Sequence, residues 1–224
     1  MYSQGGVKHD PERVAGFATM GRLETAGELM QFLKAVNWLH MSLPRMSEVV
    51  WPLQVFLEER MVGAKGRTKR GAGSRAIAAG EWTLELNGAW NAAEDVVAHA
   101  VALTLPKKGW AVLIIPDASD EHWGSFLTQM PQEKLDRGVL VEDMTHELLR
   151  FLSGTKGSQQ RWTTVNKEGF AMVSTFKRLE YLLWNNGVHI YTDHRNLSYI
   201  FDPEVCVSSV ARTTMQRSTS GRRY

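Results

Sequence analysis

Three carboxylates in the second half of the chain, Asp117, Glu168 and Asp193, have the types and spacing that metal-assisted chemistry requires. Asp117 follows the apolar run 110–115 and Asp193 follows the shorter run 188–192, and both runs are typical of strands. Glu168 lies in the first turns of a helix predicted between them. A helical crossover makes two such strands parallel neighbours, so that their carboxyl ends meet at one edge of the sheet. We therefore expect Asp117 to lie near Asp193, whereas periodicity leaves open whether Glu168 faces the sheet or the solvent.

A cluster of three carboxylates would be a site for divalent cations. Clustered carboxylates repel one another unless cations neutralise them, and sites built only from oxygen suit Mg²⁺ or Mn²⁺. Two such ions can clamp a phosphodiester, one activating the attacking water and the other stabilising the leaving oxygen. The alternative is that each aspartate caps the following helix and that the glutamate is an ordinary exposed helix residue. The histidines show no zinc-ligand spacing and are interpreted as structural or solvent-exposed.

The elements that must position these acids follow one another in a simple order. A second strand is predicted at 123–130, directly after the small residues that follow Asp117. A third strand is predicted at 146–152, although its pattern also fits a helix. The long helix that carries Glu168 begins near Thr164 and ends before Asn185-Asn186-Gly187, with Phe170 and Val173 on its inner side. Residues 194–201 have the pattern of a further short helix.

The first half of the chain is predicted to be mainly helical and shows no chemistry. Thr25 and Glu28 have the spacing of a capping box, and an apolar stripe at 29–39 follows. A second helix is expected in 47–57, and the basic, glycine-rich stretch 63–80 is the best internal boundary. A polar turn is predicted at Asn87-Gly88, followed by a helix over 91–103.

Composition and charge exclude several classes of protein. The 224 residues carry a net charge of only +2 and one cysteine, Cys206. A single cysteine excludes an internal disulfide and a multi-cysteine zinc site, and we expect an intracellular location, in the cytoplasm or nucleus. No apolar run approaches the roughly 18 to 20 residues that cross a bilayer, so no membrane partner is expected. The basic stretches 65–75 and 205–224 are interpreted as solvated linkers or as segments that follow a phosphate backbone.

Several sequence motifs together resemble the C-terminal part of a gypsy-class LTR retrotransposon Pol polyprotein. The run ETAGELMQFLKAVNWLHMSLPRMSEVVWPL looks like the end of a reverse transcriptase, and EWTLELNGAW resembles the segment that leads into its ribonuclease H-like domain. Three further runs resemble the acidic motifs of that domain, in their correct order: PDASDEHWGSFLTQ, RWTTVNKEGFAMVSTFKRLEYLL and IYTDHRNLSYIF. The resemblance covers most of residues 5–205.

This resemblance implies a domain organisation and a fold. It places reverse transcriptase thumb and connection helices at 1–62, a basic linker at 63–80 and a connecting helix at 81–106. An incomplete ribonuclease H-like domain would occupy 107–205, before a disordered basic tail at 206–224. The implied fold class is α/β, namely a ribonuclease H-like mixed sheet with a crossover helix, truncated at its C-terminus and preceded by a small, mainly helical segment.

The resemblance also implies an activity, which is cleavage of the RNA strand of RNA–DNA hybrids with two Mg²⁺ or Mn²⁺ ions. Asp117, Glu168 and Asp193 are the metal ligands carried over, while Arg195 and Asn196 could contact the nucleic-acid backbone. Such enzymes recognise the minor groove and the 2′-hydroxyls of the hybrid more than its sequence. The implied partners are the hybrid and the remainder of a Pol polyprotein.

Two departures from the family pattern leave a second function open. The chain has no Tyr-x-Asp-Asp polymerase motif, and no Asp or Glu follows Glu204, where the family carries a fourth carboxylate on a later element. We expect a truncation or a frameshift near residues 208–216. The alternative function is that of a catalytically dead retroelement remnant, at most a nucleic-acid-binding module; a host-adopted interaction module is a third possibility.

Overall fold

The computed structural model describes residues 2–3, 6–7, 14, 16–17, 20–63, 69–136, 145–155, 157, 161–183, 188–192, 194, 196–197 and 215–216. The chain divides into two compact units. Unit 1 runs from Lys8 to Ala102, and unit 2 combines Tyr2–Val7 with Leu103–Tyr224. The division therefore falls after Ala102, whereas the sequence led us to expect a linker at 63–80.

Unit 1 is helical, and its first long helix begins with the predicted capping box. Its helices are α1 (Ala26–Leu39), α2 (Met46–Met61), α3 (Lys69–Gly73) and α4 (Leu84–Ala98), with 3₁₀ turns at His40–Ser42 and Ala79–Glu81. The Thr25 hydroxyl accepts from the Glu28 amide at 3.2 Å, and the Glu28 carboxylate accepts from the Thr25 amide at 3.1 Å. This exchange satisfies two amides that lack partners within the helix.

Helix α4 begins seven residues earlier than predicted, and the polar turn expected at Asn87 lies inside it. The Asn87 amide group donates to the carbonyls of Trp82 and Thr83 at 2.9 and 2.8 Å, and the Thr83 hydroxyl caps the first turn. The rings of Trp82 and Trp90 meet edge to face, 5.9 Å apart, in the core of unit 1. Tertiary packing of these indoles therefore outweighs the weak helix propensity of the Asn-Gly pair.

Part of the segment 63–80 packs inside unit 1. Ala72, within α3, is fully buried. Ala76 forms a β-bridge with Thr25, and the Ile77 amide donates to the carbonyl of Glu24 at 2.7 Å. These contacts attach the stretch to the start of α1, which is why its glycine content does not make it an independent spacer.

Unit 2 is built on a mixed sheet. Its strands are β1 (Tyr2–Ser3), β2 (Gly6–Val7), β3 (Trp110–Ala118), β4 (His122–Pro131), β5 (Glu147–Thr155), β6 (Val188–Ile190) and β7 (Met215–Gln216), and its helices are α5 (Gln132–Asp136) and α6 (Thr164–Leu183). The main sheet has the order β5-β4-β3-β6-β7, while β1 and β2 form a separate antiparallel pair. The stretch that was ambiguous between helix and strand is therefore the edge strand β5.

The central strand β3 has an antiparallel neighbour on one side and a parallel neighbour on the other. The hairpin pairs Trp110 with Pro131 and Ala118 with Trp123, and β4 pairs in turn with β5. On the opposite side Ile114 pairs in parallel with Ile190. The parallel pairing predicted from the helical crossover is confirmed.

Helix α6 packs against β3 and β4 and closes the core of unit 2. Among its side chains up to residue 181, the buried ones are Lys167, Glu168, Ala171, Met172, Thr175 and Leu179. The predicted inner side is wrong in part, because Val173 is 39% exposed. Thr175 reaches the interior because its hydroxyl donates to the Ala171 carbonyl at 2.8 Å, which satisfies the buried polar group within its own helix.

Two further observations bear on the predictions. Within the stretch 206–224, which is predicted to be disordered, Met215 and Gln216 pair in parallel with Val188 and His189. Of the helices that the structure describes, none is both long enough and apolar enough to cross a bilayer.

Candidate active site

Asp117 lies at the carboxyl end of the central strand, as predicted. It is the penultimate residue of β3, its register partner in β4 is Gly124, and its side chain is exposed. The turn that follows is closed by Ser119, whose amide donates to the His122 carbonyl at 3.0 Å and whose hydroxyl accepts from the His122 amide at 3.2 Å. This closed turn fixes the end of the strand and leaves a carboxylate facing solvent.

Glu168 lies on the buried side of α6, which settles the orientation that periodicity left open. It is the fifth residue of the helix and only 5% exposed. The helix begins after Thr163, whose carbonyl accepts from the Lys167 amide at 2.9 Å. A carboxylate this deeply buried is costly unless polar or cationic groups compensate it. It is therefore the most unusual acid among the described residues of unit 2.

An ion pair joins the two elements that carry these acids. Lys167 Nζ donates to Asp120 Oδ1 at 2.6 Å. Lys167 directly precedes Glu168 on α6, and Asp120 lies in the hairpin turn just beyond Asp117. The pair therefore ties the turn after Asp117 to the first turns of the helix that carries Glu168.

Aromatic contacts support the same part of the helix. The rings of Trp123 and Phe170 meet edge to face at 6.5 Å, and those of Trp162 and Phe170 at 5.9 Å. The Arg178 guanidinium also lies near Trp123, 4.8 Å from the ring centroid. Trp123 is buried, at 3% exposure, whereas Trp162 is 44% exposed.

The remaining predicted residues are only partly described. Asp193 and Arg195 lie outside the described residues. Asn196 is exposed and helical, beside the buried Leu197, whose amide donates to the His194 carbonyl at 3.0 Å. The pairing of β6 with β3 extends to Tyr191, whose amide donates to the Ile114 carbonyl at 3.0 Å.

The described residues supply two of the three predicted ligands. Within the described ranges no group of three or more His, Cys, Asp or Glu residues has an arrangement that could hold a metal ion. Asp117 and Glu168 nevertheless stand on two elements that pack against each other, β3 and α6. Their donor atoms are all carboxylate oxygens, which fits a hard divalent cation. The described part of the donor set therefore fits Mg²⁺ or Mn²⁺ in chemistry.

One buried residue near the centre of the sheet was not expected. His189 in β6 is 5% exposed, and neither ring nitrogen has a hydrogen-bond partner among the described residues. Burial lowers the pKa of His189 below its ordinary value, while the nearby charge of Asp136 acts in the opposite direction. Its position in an apolar strand, Val188 to Ile190, was the available signal that this histidine is buried.

Comparison with known proteins shows what the second half of the chain is similar to. Residues 110–218 match the family model of the RNase H-like domain found in reverse transcriptase. The match spans strands β3 to β6 and helix α6, which carry the candidate site. No curated protein matches the sequence.

Solved structures of a foamy viral protease-reverse transcriptase share the fold. The complex with an RNA/DNA hybrid has a TM-score of 0.63 at 15% identity, over 92% of this chain and 25% of that one. The complex with dsDNA has a TM-score of 0.62 at 14% identity, over 86% and 35%. A dRH form bound to ds DNA has a TM-score of 0.59 at 15% identity, over 83% and 28%. The chain thus spans at most 35% of the length of these proteins. The predicted ribonuclease H-like α/β fold is confirmed, while the gypsy class stays a prediction.

Proposed function

We propose that this protein hydrolyses the RNA strand of RNA–DNA hybrids with the help of divalent metal ions. The observation that carries the proposal is the parallel pairing of Ile114 with Ile190 beside the helix that buries Glu168. Asp117 follows Ile114 by three residues, and Asp193 follows Ile190 by the same interval in the sequence. Equal intervals beyond a parallel register are what a shared carboxylate site at one sheet edge requires.

In this proposal the metal ligands are Asp117, Glu168 and Asp193, and the cofactor is two Mg²⁺ or Mn²⁺ ions. When bound, the ions would activate the attacking water and stabilise the leaving oxygen of the phosphodiester. The protein's own contribution is to hold the carboxylates in place. The closed turn at Ser119 fixes the strand end, and the Lys167–Asp120 ion pair joins that turn to the helix.

The proposed substrate follows from the type of domain. The structural relatives include a protease-reverse transcriptase in complex with an RNA/DNA hybrid, and RNA-containing duplexes are recognised by shape and by the 2′-hydroxyl groups. Arg195 and Asn196 would contact the nucleic-acid backbone. We further propose that the chain corresponds to the C-terminal part of a gypsy-class Pol polyprotein. Its thumb and connection helices would lie at 1–62 and its ribonuclease H-like domain at 107–205.

A cleavage assay on a labelled RNA–DNA hybrid tests this function. The wild-type chain should cut the RNA strand when Mg²⁺ or Mn²⁺ is present and should stop when EDTA is added. Asp117→Asn removes one ligand charge from an exposed strand end with little change in volume, so it should abolish cleavage without unfolding the protein. Asp136→Asn, an exposed acid in α5, is the matched control and should keep the wild-type rate. Cleavage that survives Asp117→Asn would refute the site assignment.

A second candidate function is nucleic-acid binding without hydrolysis. It is favoured by the basic composition of residues 205–224, which contain arginines and neither Asp nor Glu and so suit a phosphate backbone. The same assay separates the two candidates when it is combined with a binding measurement. Binding of the hybrid by the wild-type chain without metal-dependent cleavage would support the second candidate and exclude the first.

A further inference from the structure

Two arginines of unit 2 converge on the outer side of α6. Arg178, on the exposed side of that helix, lies over the ring of Trp123, and its Nη1 donates to the Ser153 carbonyl of β5 at 3.0 Å. Arg150, on β5 itself, donates through Nη1 to the Tyr181 hydroxyl at 2.6 Å. Tyr181 is three residues beyond Arg178, so the two lie on the same face of the helix. Both arginines therefore join α6 to the edge strand β5.

This arginine pair, Arg150 and Arg178, has no carboxylate partner among the described residues. The described hydrogen bonds of both go to neutral oxygens, and Arg150 Nε is buried with no hydrogen-bond partner. Glu180 is close in sequence to Arg178, but side chains two residues apart on a helix do not face each other. Burial lowers the pKa of Arg178, and the charge of Arg150 lowers it further. Two adjacent cations are thus held together without an anion from the described chain.

We propose that Arg150 and Arg178 bind a phosphate of a nucleic-acid backbone. Each guanidinium carries five N–H donors in a planar fork that matches phosphate geometry. The described contacts leave most of these donors available. The proposal rests on the proposed function in one respect, which is that nucleic acid is the ligand of this domain.

The distance from the candidate active site fits a single duplex. Arg178 lies ten residues beyond Glu168 on α6, which corresponds to about 15 Å at a rise of 1.5 Å per residue. One strand of a duplex advances about 3.4 Å per nucleotide, so this distance spans roughly four nucleotides. A phosphate held by the arginine pair would therefore belong to the same duplex as the scissile phosphate and would fix its register.

The test measures how salt weakens the binding of fluorescein-labelled duplexes to the full chain. Fluorescence anisotropy in EDTA removes any contribution from metal ions, and NaCl is varied between about 50 and 200 mM, where counterion release dominates. The probes are an RNA–DNA hybrid and a DNA duplex of the same sequence. In the Arg150→Gln/Arg178→Gln double variant, the slope of log K against log [NaCl] should fall in magnitude by about 0.9, the value for one phosphate.

Further variants separate a phosphate contact from a structural role. Lys134→Gln, at an exposed lysine in α5, removes one positive charge, as Arg150→Gln alone does, and should leave the slope unchanged. Arg178→Lys keeps the charge but loses the fork, so it should preserve the slope and weaken binding. If the double variant unfolds because Arg178 no longer lies over Trp123, Arg150→Gln alone tests the same prediction with Arg178 in place. If a continuous nucleic-acid backbone is the ligand, inorganic phosphate should displace the duplex from the wild-type chain only weakly.

The outcomes distinguish this proposal from the proposed function. An unchanged slope in both the double variant and Arg150→Gln, with folding retained, would overturn the phosphate site. A wild-type chain that binds neither duplex would also overturn it. The double variant is measured both for cleavage and for binding. If it cleaves the hybrid with metal at low salt and keeps the wild-type slope, the proposed function stands and only the arginine site is refuted.

Discussion

Lys167 Nζ lies 2.6 Å from Asp120 Oδ1, and the two side chains differ sharply in their surroundings. The side chain of Lys167 is 10% exposed and that of Asp120 is 90% exposed. The lysine stem is therefore packed against the interior while its ammonium reaches an anion at the surface. Because this contact bridges a hairpin turn and a helix, its loss should affect the position of both.

The Lys167–Asp120 pair should show a measurable coupling energy. We expect a double-mutant cycle with Lys167→Met and Asp120→Asn to give about 0.5–1 kcal/mol, at the upper end for pairs with an exposed partner. Lys167→Met keeps the packed stem and removes only the charge. Urea unfolding of the four proteins measures the coupling. The exposed Arg45–Glu48 pair at the start of α2 is the matched control, and an equal or larger coupling there would contradict the expectation.

Gly154 is required where β5 passes Trp123. A Cβ at residue 154 would lie 2.6 Å from the Trp123 Nε1 and 2.9 Å from its Cε2. Gly154→Ala should therefore displace an indole that contacts both Phe170 and Arg178, and should cost about 1–3 kcal/mol of unfolding free energy.

Gly124→Ala is the control for this substitution. Its Cβ would meet no atom closer than the Leu152 carbonyl oxygen at 3.8 Å. Removing a strand glycine in open space should be neutral or stabilise by about 0.5–1 kcal/mol. Urea midpoints followed by tryptophan fluorescence compare the two. A similar midpoint for both variants would show that the indole moves aside at no cost.

His189 should make the stability of unit 2 depend on pH. Its pKa is lowered in the folded state, mainly by burial, so below the ordinary value of 6.5 the unfolded chain binds the proton more readily. Stability is therefore fully present above pH 6.5 and is lost as the pH falls from there toward the folded pKa. Thermal unfolding between about pH 5 and pH 8 measures this loss, because unperturbed histidine titrates in that range.

Two substitutions isolate the contribution of His189. His189→Leu removes the titrating group from an apolar site, so the melting temperature of this variant should vary less between pH 8 and pH 5 than that of the wild type. His99→Gln, at a side chain 77% exposed, should retain the wild-type pH dependence. A melting temperature that falls equally with pH in wild type and His189→Leu would assign the effect to other groups.

Glu168→Gln should separate activity from stability. If the carboxylate is a metal ligand, cleavage should fall on the order of 100-fold or more, since even outer-shell partners of a metal are worth about 10–100-fold. The substitution replaces the carboxylate by an amide of equal size that still accepts hydrogen bonds, so the melting temperature without metal should change little. Glu180→Gln, at an exposed position on the same helix, is the control for both readouts. A large drop in melting temperature together with full activity would make Glu168 a structural residue.

The sequence predicted the frame of the site well because strong local patterns define it. The run before Asp117 is apolar over six residues, and parallel neighbours are usually joined by a helical crossover, so β3, α6 and β6 were all expected. The inner face of α6 was harder to predict. Thr175 is buried and Val173 is partly exposed, and neither fact follows from side-chain polarity alone. The burial of Glu168 could therefore not be predicted from the spacing of residues along the helix.

Contacts between distant residues were beyond the reach of the sequence. Lys167 and Asp120 are 47 positions apart, and Arg150 meets Tyr181 31 positions later. Such pairs depend on how α6 lies across the hairpin, which no local pattern encodes. The missed start of α4 has the same origin, because Trp82 and Trp90 pack together in three dimensions and override the local turn signal of Asn87-Gly88.

Strand β3 pairs with one strand that is close in the sequence and with one that is distant, and this has a consequence for protein synthesis. Its hairpin partner follows almost at once, but the residue that pairs with Val112 in parallel is Val188, 76 positions later. At about 5–20 residues per second, a ribosome needs roughly 4–15 s to make that interval. Throughout this time the apolar edge of β3 has no native strand to pair with and can capture a neighbouring chain. Slower growth of the expressing cells, or co-expression of a chaperone, should therefore raise the yield of folded protein more than substitutions on the surface of the folded domain.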